Sequence, residues 1–448
     1  MKLFGTDGIR GNSSEFPFDN YSLSVIGKAI AQTLKNSKNK ILIIRDTRQS
    51  GKRIQKYLAL GLLSGGAVPV FGGVMPTPAA SFLLRSGKYS AAIVISASHN
   101  PYIDNGIKIF NSKGSKLTDF TEAKIEKKIN KYFAEKIAIK TKNINLHEDN
   151  TLIKAYENFI VESFGHGSLK GKTIIADCAN GAAYKCAVGV LKKLGAKVVA
   201  LNVSPDGKNI NKCCGALYPE IAASAVKKYK AFCGFAFDGD ADRLICIDEN
   251  AVVRDGDYFL SSMAKFLKSE NKLKNNVLVT TVMANIGLLK AMSQAKIKTV
   301  VSKVGDRYVL EDMKKFKSSL GGEQSGHFIF SDLLGTGDGL LSAVQLLAAL
   351  AKENKTLSQF VSGVQKFPQI LINKKVAAKI PVEKLSKTGV LIKKYEKKLG
   401  SDGRILVRYS GTENLLRVMV EGKNKSEIKK IAQGIIESAD AEILGIVK

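Results

Sequence analysis

Short, nearly pure apolar runs alternate along this chain with longer stretches whose apolar positions recur at helical spacing. The runs at 40–45, 68–71 and 91–96 predict buried strands, and the stretches at 23–34, 52–64, 76–86 and 120–132 predict helices. Such alternation predicts an α/β unit with a largely parallel sheet. A polar, irregular stretch at 140–150 suits a linker. The rhythm then repeats. Strands at 173–177, 197–202, 232–237 and 244–247, with helices at 184–194 and 221–228, make a second unit. Strands at 277–282 and 299–301 with helices at 287–295, 308–316 and 340–352 make a third. After Lys366-Phe367-Pro368 the elements change order: strands at 369–376, 403–409 and 415–421 with helices at 385–399 and 425–439, a small α+β domain. The expected fold class is therefore α/β, in four domains at 1–150, 151–248, 249–366 and 367–448. The first three are expected to hold mixed, mostly parallel sheets. They show no clear sequence repeat.

Composition narrows the class. The chain has 448 residues, 45% of them hydrophobic, so several domains can each bury a core. No apolar run is long enough to span a membrane, and the N-terminus carries no apolar leader. The expected address is the cytoplasm. The net charge of +29 invites a nucleic-acid reading, but only 11 of the 69 basic residues are Arg, and Lys is spread over every predicted helix. There is no Trp and no interleaving of aromatic and basic residues for stacking bases. Lysine decorating solvated helix faces explains the charge better. Arg10, Arg243, Arg307, Arg408 and Arg417 each sit in or beside a glycine-rich or acidic loop, where guanidinium geometry has a use. The six Cys form no C-x-x-C pair and cluster with no His, which argues against zinc.

Four loops carry candidate chemistry. Ile95-Ser96-Ala97-Ser98-His99-Asn100-Pro101 follows a buried strand and places Ser98 where a nucleophile could stand; by itself it equally suits an ordinary turn. Consecutive side chains on a strand point apart, and G-x-S-x-G is absent, so a Ser98–His99 hydrolase is disfavoured. Asp238-Gly239-Asp240-Ala241-Asp242-Arg243 sets three carboxylates at alternate positions, which converge only if a hard divalent cation cancels their repulsion. An EF-hand reading fails because Arg243 stands where the turn needs Gly and strands flank the loop. Gly321-Gly322-Glu323-Gln324-Ser325-Gly326-His327 offers donors and acceptors as sugar hydroxyls require, or forms a polar hairpin. Arg408-Tyr409-Ser410-Gly411-Thr412-Glu413-Asn414, with Arg417, makes an oxyanion cradle or a hairpin with incidental Arg. The lead Gly5-Thr6-Asp7-Gly8-Ile9-Arg10-Gly11 reads as a backbone-exposing loop.

Together, and in this order, the loops resemble those of the α-D-phosphohexomutase superfamily over the whole chain. The stretches 4–11, 95–110, 303–310 and 321–327 look most like the bacterial branch that acts on glucosamine phosphates. The resemblance implies four domains around a central cleft and a phosphoserine at Ser98. It implies Mg²⁺ held by Asp238, Asp240, Asp242 and the Ser98 phosphate. The implied reaction interconverts glucosamine 6-phosphate and glucosamine 1-phosphate through a bisphosphate, with glucosamine 1,6-bisphosphate or a similar hexose bisphosphate as activator. That reaction lies on the route to UDP-N-acetylglucosamine and cell wall. Sister enzymes acting on glucose or mannose phosphates are the near alternative. Lys108 and Arg10 are candidates for positioning and proton transfer, Lys108 the better base, and His327 for assistance or bracing. His99, Arg243, Gly305, Asp306, Glu323 and Ser325 would contact substrate, and Arg408, Ser410, Gly411, Thr412 and Arg417 the phosphate that is not reacting. The family implies a homodimer and a sugar-phosphate partner; from the charge pattern and the apolar runs, neither a nucleic-acid nor a membrane partner is expected. Two departures stand out: Tyr409 and Asn414 where the family has Pro, and Ala241 where the branch has Gly.

Overall fold

The computed structural model of the chain describes residues 2–5, 7–34, 36–139, 144–165, 167–410 and 414–447. Two compact units make it up: residues 1–283 with 297–362, and residues 284–296 with 363–448.

The larger unit holds three sheets. The first contains β1 (Phe4–Gly5), β2 (Gly8–Asn12), β3 (Lys40–Arg45), β4 (Val68–Val74), β5 (Ala91–Ile95) and β6 (Asp104–Asn111), ordered β1-β2-β6-β5-β3-β4. The second contains β7 (Thr173–Asp177), β8 (Lys197–Leu201), β9 (Cys233–Phe237), β10 (Leu244–Ile247) and β11 (Val253–Arg254), ordered β11-β10-β9-β7-β8. The third contains β12 (Val277–Thr281), β13 (Lys298–Ser302), β14 (Leu320–Gly322) and β15 (Phe328–Phe330), ordered β13-β12-β14-β15. One plan underlies all three. Each has three consecutive parallel strands, the earliest of them central, and the third turns back through a loop into an antiparallel strand; in the first sheet β1 and β2 precede this set. That loop is 96–103 in the first sheet, 238–243 in the second and 323–327 in the third. Strands β5, β9 and β12 are buried throughout, which is why they read as unbroken apolar runs.

The structure departs from the sequence reading in several places. Parallel and antiparallel neighbours are balanced, because each parallel centre carries antiparallel strands on one side only. Gly8–Asn12, read as part of a backbone-exposing loop, and Asp104–Asn111, to which the pattern assigned no element, are paired strands, and glycines lowered their apparent strand character. The second sheet continues past residue 248 to β11, through a turn in which the Asp248 carboxylate accepts the Asn250 and Val252 N–H groups at 3.0 and 2.9 Å. The helix Asn150–Ser163 follows the expected linker; it buries only Tyr156 and Ile160, too thin a stripe to register in the pattern.

In the smaller unit an antiparallel sheet, β16 (Gln369–Lys375), β17 (Arg404–Tyr409) and β18 (Leu415–Glu421), is ordered β16-β18-β17. Helices Ser386–Leu399 and Lys425–Val447 cover it, the second running beyond the expected end to bury Ile443. Its core gathers Leu416, Val418, Val420, Ile428 and Ile435. Helix Ile286–Gln294 belongs to this unit, where Glu421 accepts the Ile286 N–H at 3.2 Å and Arg404 donates to the Ala284 carbonyl at 2.7 Å. Among the described residues no helix is long and apolar enough to cross a membrane.

Candidate active site

The pleat of β5 ends at Ile95, and Ser98 then adopts φ +52°, a left-handed conformation that costs a non-glycine residue on the order of 1 kcal/mol. Three side chains hold it there. Ser96 accepts the Ser98 N–H at 3.0 Å and donates to Asp46 at 2.6 Å. Asn211 donates to the carbonyls of Ser98 and Asn100 at 2.8 and 3.1 Å. Arg48, fully buried, pairs with Asp46 at 2.8 Å and donates to the carbonyls of Ser98 (2.9 Å), Asn100 (2.8 Å), Asp104 (3.0 Å) and Pro101. One guanidinium thus fixes the whole loop. Asp46, Arg48 and Asn211 escaped the sequence reading. The scarcity of Arg, which picked out five others, was the signal that could have found Arg48.

The Ser98 hydroxyl donates to Asp238 Oδ2 at 2.7 Å. Asp238, Asp240 and Asp242 are buried, and each offers an oxygen within 4.8 Å of the others. Burial, then Asp242 and Asp240, pushes the Asp238 carboxyl well above its ordinary range. Asp240 Oδ2 accepts from Thr77 at 2.5 Å and from Lys108 at 2.8 Å, while Asp240 Oδ1 and Asp242 Oδ1 are buried with no hydrogen-bond partner. Buried, unpartnered anionic oxygens are costly. A hard divalent cation answers that cost, so the donor set fits Mg²⁺. Ala241, inside this loop, has φ +57°, where glycine would be unstrained.

His99 Nδ1 lies 3.4 Å from the Ser98 hydroxyl. The alternation that was expected to turn these side chains apart does not apply, because the strand has already ended. Burial, with Arg243 and Arg10, brings the His99 ring down to about 4, so it is neutral.

Lys108, on β6, projects its ammonium into the carboxylates: Asp240 at 2.8 Å, Asp7 at 3.2 Å and Asp242 at 3.7 Å. Burial works against its charge, but Asp240, Asp7 and Asp242 together push its pKa upward. A base needs the opposite, so in this arrangement Lys108 is a fixed cation. Arg10 pairs with Asp7, and β2 lies against β6 with Arg10 opposite Gly106. Lys116 joins Asp7 to Asp306 at 2.5 and 2.6 Å. His327 stands 3.7 Å from both Asp306 and Asp242. Glu323 accepts the Gly305 N–H at 3.0 Å, and Ser325 is exposed on the same hairpin loop. Arg243 donates its backbone N–H to Asp238 at 3.2 Å, and its buried Nε has no hydrogen-bond partner. The structure therefore gathers Ser98, His99, Lys108, Arg10, the three Asp, Arg243, Asp306 and His327 around one point of the larger unit. Lys116 is a member that the sequence did not disclose.

In the smaller unit Arg408 and Arg417 are direct cross-strand partners on β17 and β18. Burial and the neighbouring Arg417 lower the pKa of Arg408, and Arg417 Nε is buried without a hydrogen-bond partner. Two guanidiniums side by side favour an anion between them. Ser410 is buried at the strand end, its N–H on the Leu415 carbonyl at 2.8 Å. Gly411 and Thr412 lie outside the described residues. Tyr409, where the resemblance expected Pro, donates its hydroxyl to the Ile380 carbonyl at 2.6 Å.

Comparison with known proteins matches four domain families in sequence. They are phosphoglucomutase/phosphomannomutase α/β/α domain I over residues 1–136, domain II over 153–252, domain III over 255–367 and the C-terminal domain over 371–438. Phosphoglucosamine mutase of Myxococcus xanthus is 45% identical, over 97% of this chain and 97% of its own. That of Protochlamydia amoebophila is 43% identical, over 99% and 98%. Among solved structures, a phosphoglucomutase/phosphomannomutase family protein from Burkholderia thailandensis superposes with TM-score 0.81 at 23% identity, covering 98% of this chain and 97% of that one. Aspergillus fumigatus N-acetylphosphoglucosamine mutase, in complex with GlcNAc-6P and magnesium, gives 0.67 at 18% identity over 99% and 96%; likeness at these identities speaks for the fold. Four domain matches in order and full-length relatives well above a third identical establish that the chain belongs to the phosphoglucomutase/phosphomannomutase family, on its phosphoglucosamine mutase branch.

Proposed function

We propose that this enzyme interconverts glucosamine 6-phosphate and glucosamine 1-phosphate, with Ser98 carrying the phosphoryl group that is exchanged. The observation that carries this reading is the Ser98 hydroxyl set 2.7 Å from Asp238, beside two buried carboxylate oxygens with no partner. In the forward direction the bond from phosphorus to Ser98 Oγ breaks and a bond to the sugar's free hydroxyl oxygen forms, giving glucosamine 1,6-bisphosphate. The displaced hydroxyl proton needs an acceptor. The bisphosphate then turns over and returns its other phosphoryl to Ser98 Oγ. The same bisphosphate, or a similar hexose bisphosphate, would prime an unphosphorylated enzyme. Its product would feed UDP-N-acetylglucosamine and peptidoglycan precursor synthesis.

Asp238, Asp240, Asp242 and the Ser98 phosphate would hold Mg²⁺, which neutralises charge developing on the transferring group. Arg10 and Arg243 bring positive charge to the same point. Lys108 serves as proton acceptor only when Asp240, Asp7 and Asp242 are turned away from it. His99, neutral and beside Ser98, orients the hydroxyl. Glu323 and Ser325 would meet sugar hydroxyls in either orientation, with Gly305, Asp306 and His327 bracing that loop. Arg408, Ser410, Gly411, Thr412 and Arg417 would bind the idle phosphate. Six free thiols, five of them buried, suit a reducing compartment such as the cytoplasm.

Intact-protein mass before and after phosphatase tests the central step. One removable phosphate is expected, absent from Ser98→Ala, whose activity on glucosamine 6-phosphate should fall at least roughly a thousandfold. Full activity without phosphate would refute the mechanism. A higher kcat/KM on glucose or mannose 6-phosphate would move the substrate to the sister enzymes.

A further inference from the structure

Lys108, Asp7, Lys116, Asp306, His327 and Asp242 form a closed ring around the site. Successive members are separated by 3.2, 2.5, 2.6, 3.7, 3.7 and 3.7 Å, the last step returning from Asp242 to Lys108. Cationic or protonatable side chains alternate with carboxylates. Five members come from loops and strands already tied to the reaction or beside Arg10. Lys116 has no such tie. It follows β6, where it bridges Phe110 across a tight turn. Its side chain is 19% exposed. Together with Asp306, His327 and Thr336 it lines a cavity of about 280 Å³. His327 Nε2, also at this cavity, is buried with no hydrogen-bond partner.

From this geometry we infer that Lys116 is a positioning residue for phosphoryl transfer: it ties the Asp7 carboxylate, which faces Lys108 and Arg10, to Asp306 at the head of helix Asp306–Phe316, which faces His327. The argument is one of charge placement. Asp7 and Asp306 are both largely enclosed, and Lys116 is the cation that stands between them. Without it, two carboxylates would confront each other across the gap. Asp7 would draw Lys108 away from Asp240, and Asp306 would draw His327 away from Asp242. Both displacements move groups that contact Asp240 and Asp242 in the carboxylate loop beside Ser98, and misplacement by about 1 Å can cost a hundredfold in rate. Lys116 itself touches none of Ser98, Asp238, Asp240 or Asp242 among the contacts described, so it acts through its two partners.

This inference rests on the proposed mutase reaction, and the test separates the two. Wild-type activity on glucosamine 6-phosphate and the Ser98 phosphate are measured first; their absence would defeat the reaction and not the role of Lys116. Lys116→Met keeps the length of the side chain and removes its charge. It should lower kcat at least tenfold with KM changed less than threefold, while the phosphate on Ser98 stays near wild type and the melting temperature falls, as removing the cation between two enclosed carboxylates requires. Lys116→Arg, which restores a cation, should recover activity to within about fivefold. Asp306→Asn and the double variant complete a cycle, in which the double should be no worse than Lys116→Met alone. If Lys116→Met does not fold, Lys116→Gln replaces it in the same cycle. Wild-type kcat in the Met or Gln variant would overturn the inference. So would losses that add in the double variant, or a loss that Lys116→Arg does not rescue.

Discussion

At the scale of single residues, two non-glycine positions among the described residues of the site loops are left-handed, Ser98 and Ala241. As the proposed phosphoryl carrier Ser98 needs its side chain, and Arg48, Ser96 and Asn211 supply the bonds that hold it. Ala241 has no such need. Replacing it by glycine relieves about 1–2 kcal/mol of left-handed strain. It also frees the unfolded chain, at about 0.4–1 kcal/mol, and removes a buried methyl worth about 0.8 kcal/mol. These contributions nearly cancel. Ala241→Gly should therefore stay within about 1 kcal/mol of wild type in urea denaturation and keep its activity; a loss above about 2 kcal/mol would show that the methyl packs something essential. The three Asp were legible in the sequence because all three lie within one short turn. The charge ring was not, because its pairs join residues 109 and 190 positions apart and Lys116 is one of many lysines.

At the scale of elements, the informative cases are β2 and β6. The glycines of β2 suggested a backbone-exposing loop and β6 was assigned no element, yet the strands pair and carry Arg10 and Lys108 to the same end of the sheet. Gly106 shows why a small residue is needed there. A Cβ on it would stand 2.4 Å from the Ser96 carbonyl oxygen and 3.3 Å from Arg10 Cγ. The Gly106 carbonyl also accepts the Ser96 N–H at 3.0 Å, so any shift of this strand reaches the serine loop directly. Gly106→Ala should cost about 1–3 kcal/mol of stability and, more tellingly, reduce kcat more than tenfold in protein that still folds. Steady-state kinetics beside a thermal melt would check this; unchanged kcat would mean that the serine loop is positioned independently of β6.

At the scale of the whole chain, alternation was enough to read four domains, but not the plan that three of them share. Hydrophobic pattern reports burial; it does not report which strand turns back. The loops holding Ser98, Asp238–Asp242 and Glu323–His327 each occupy the turn after the third parallel strand, the carboxyl end where open α/β sheets gather ligands. The packing that joins these domains brings its own charge. Asp338 caps helix Gly339–Glu353 by accepting the Leu341 N–H at 2.9 Å, and it receives the Tyr156 hydroxyl from helix Asn150–Ser163 at 2.8 Å. Both side chains are buried, and burial, outweighing those hydrogen bonds, raises the Asp338 carboxyl to about 7. In the unfolded chain it returns to its ordinary 3.8. The folded state then binds the extra proton between these values, so the contribution of Asp338 is fully present below about pH 4 and is lost as pH rises to about 7. The loss is on the order of 4 kcal/mol. Asparagine keeps an oxygen for the cap and carries no charge to bury. Melting temperatures of wild type and Asp338→Asn, taken from pH 5 to pH 8, should diverge in favour of the variant as pH rises and level off above pH 7. A constant difference across that range would mean that Asp338 is ionised in the folded protein throughout and that Tyr156 and the helix N-terminus stabilise its charge in full.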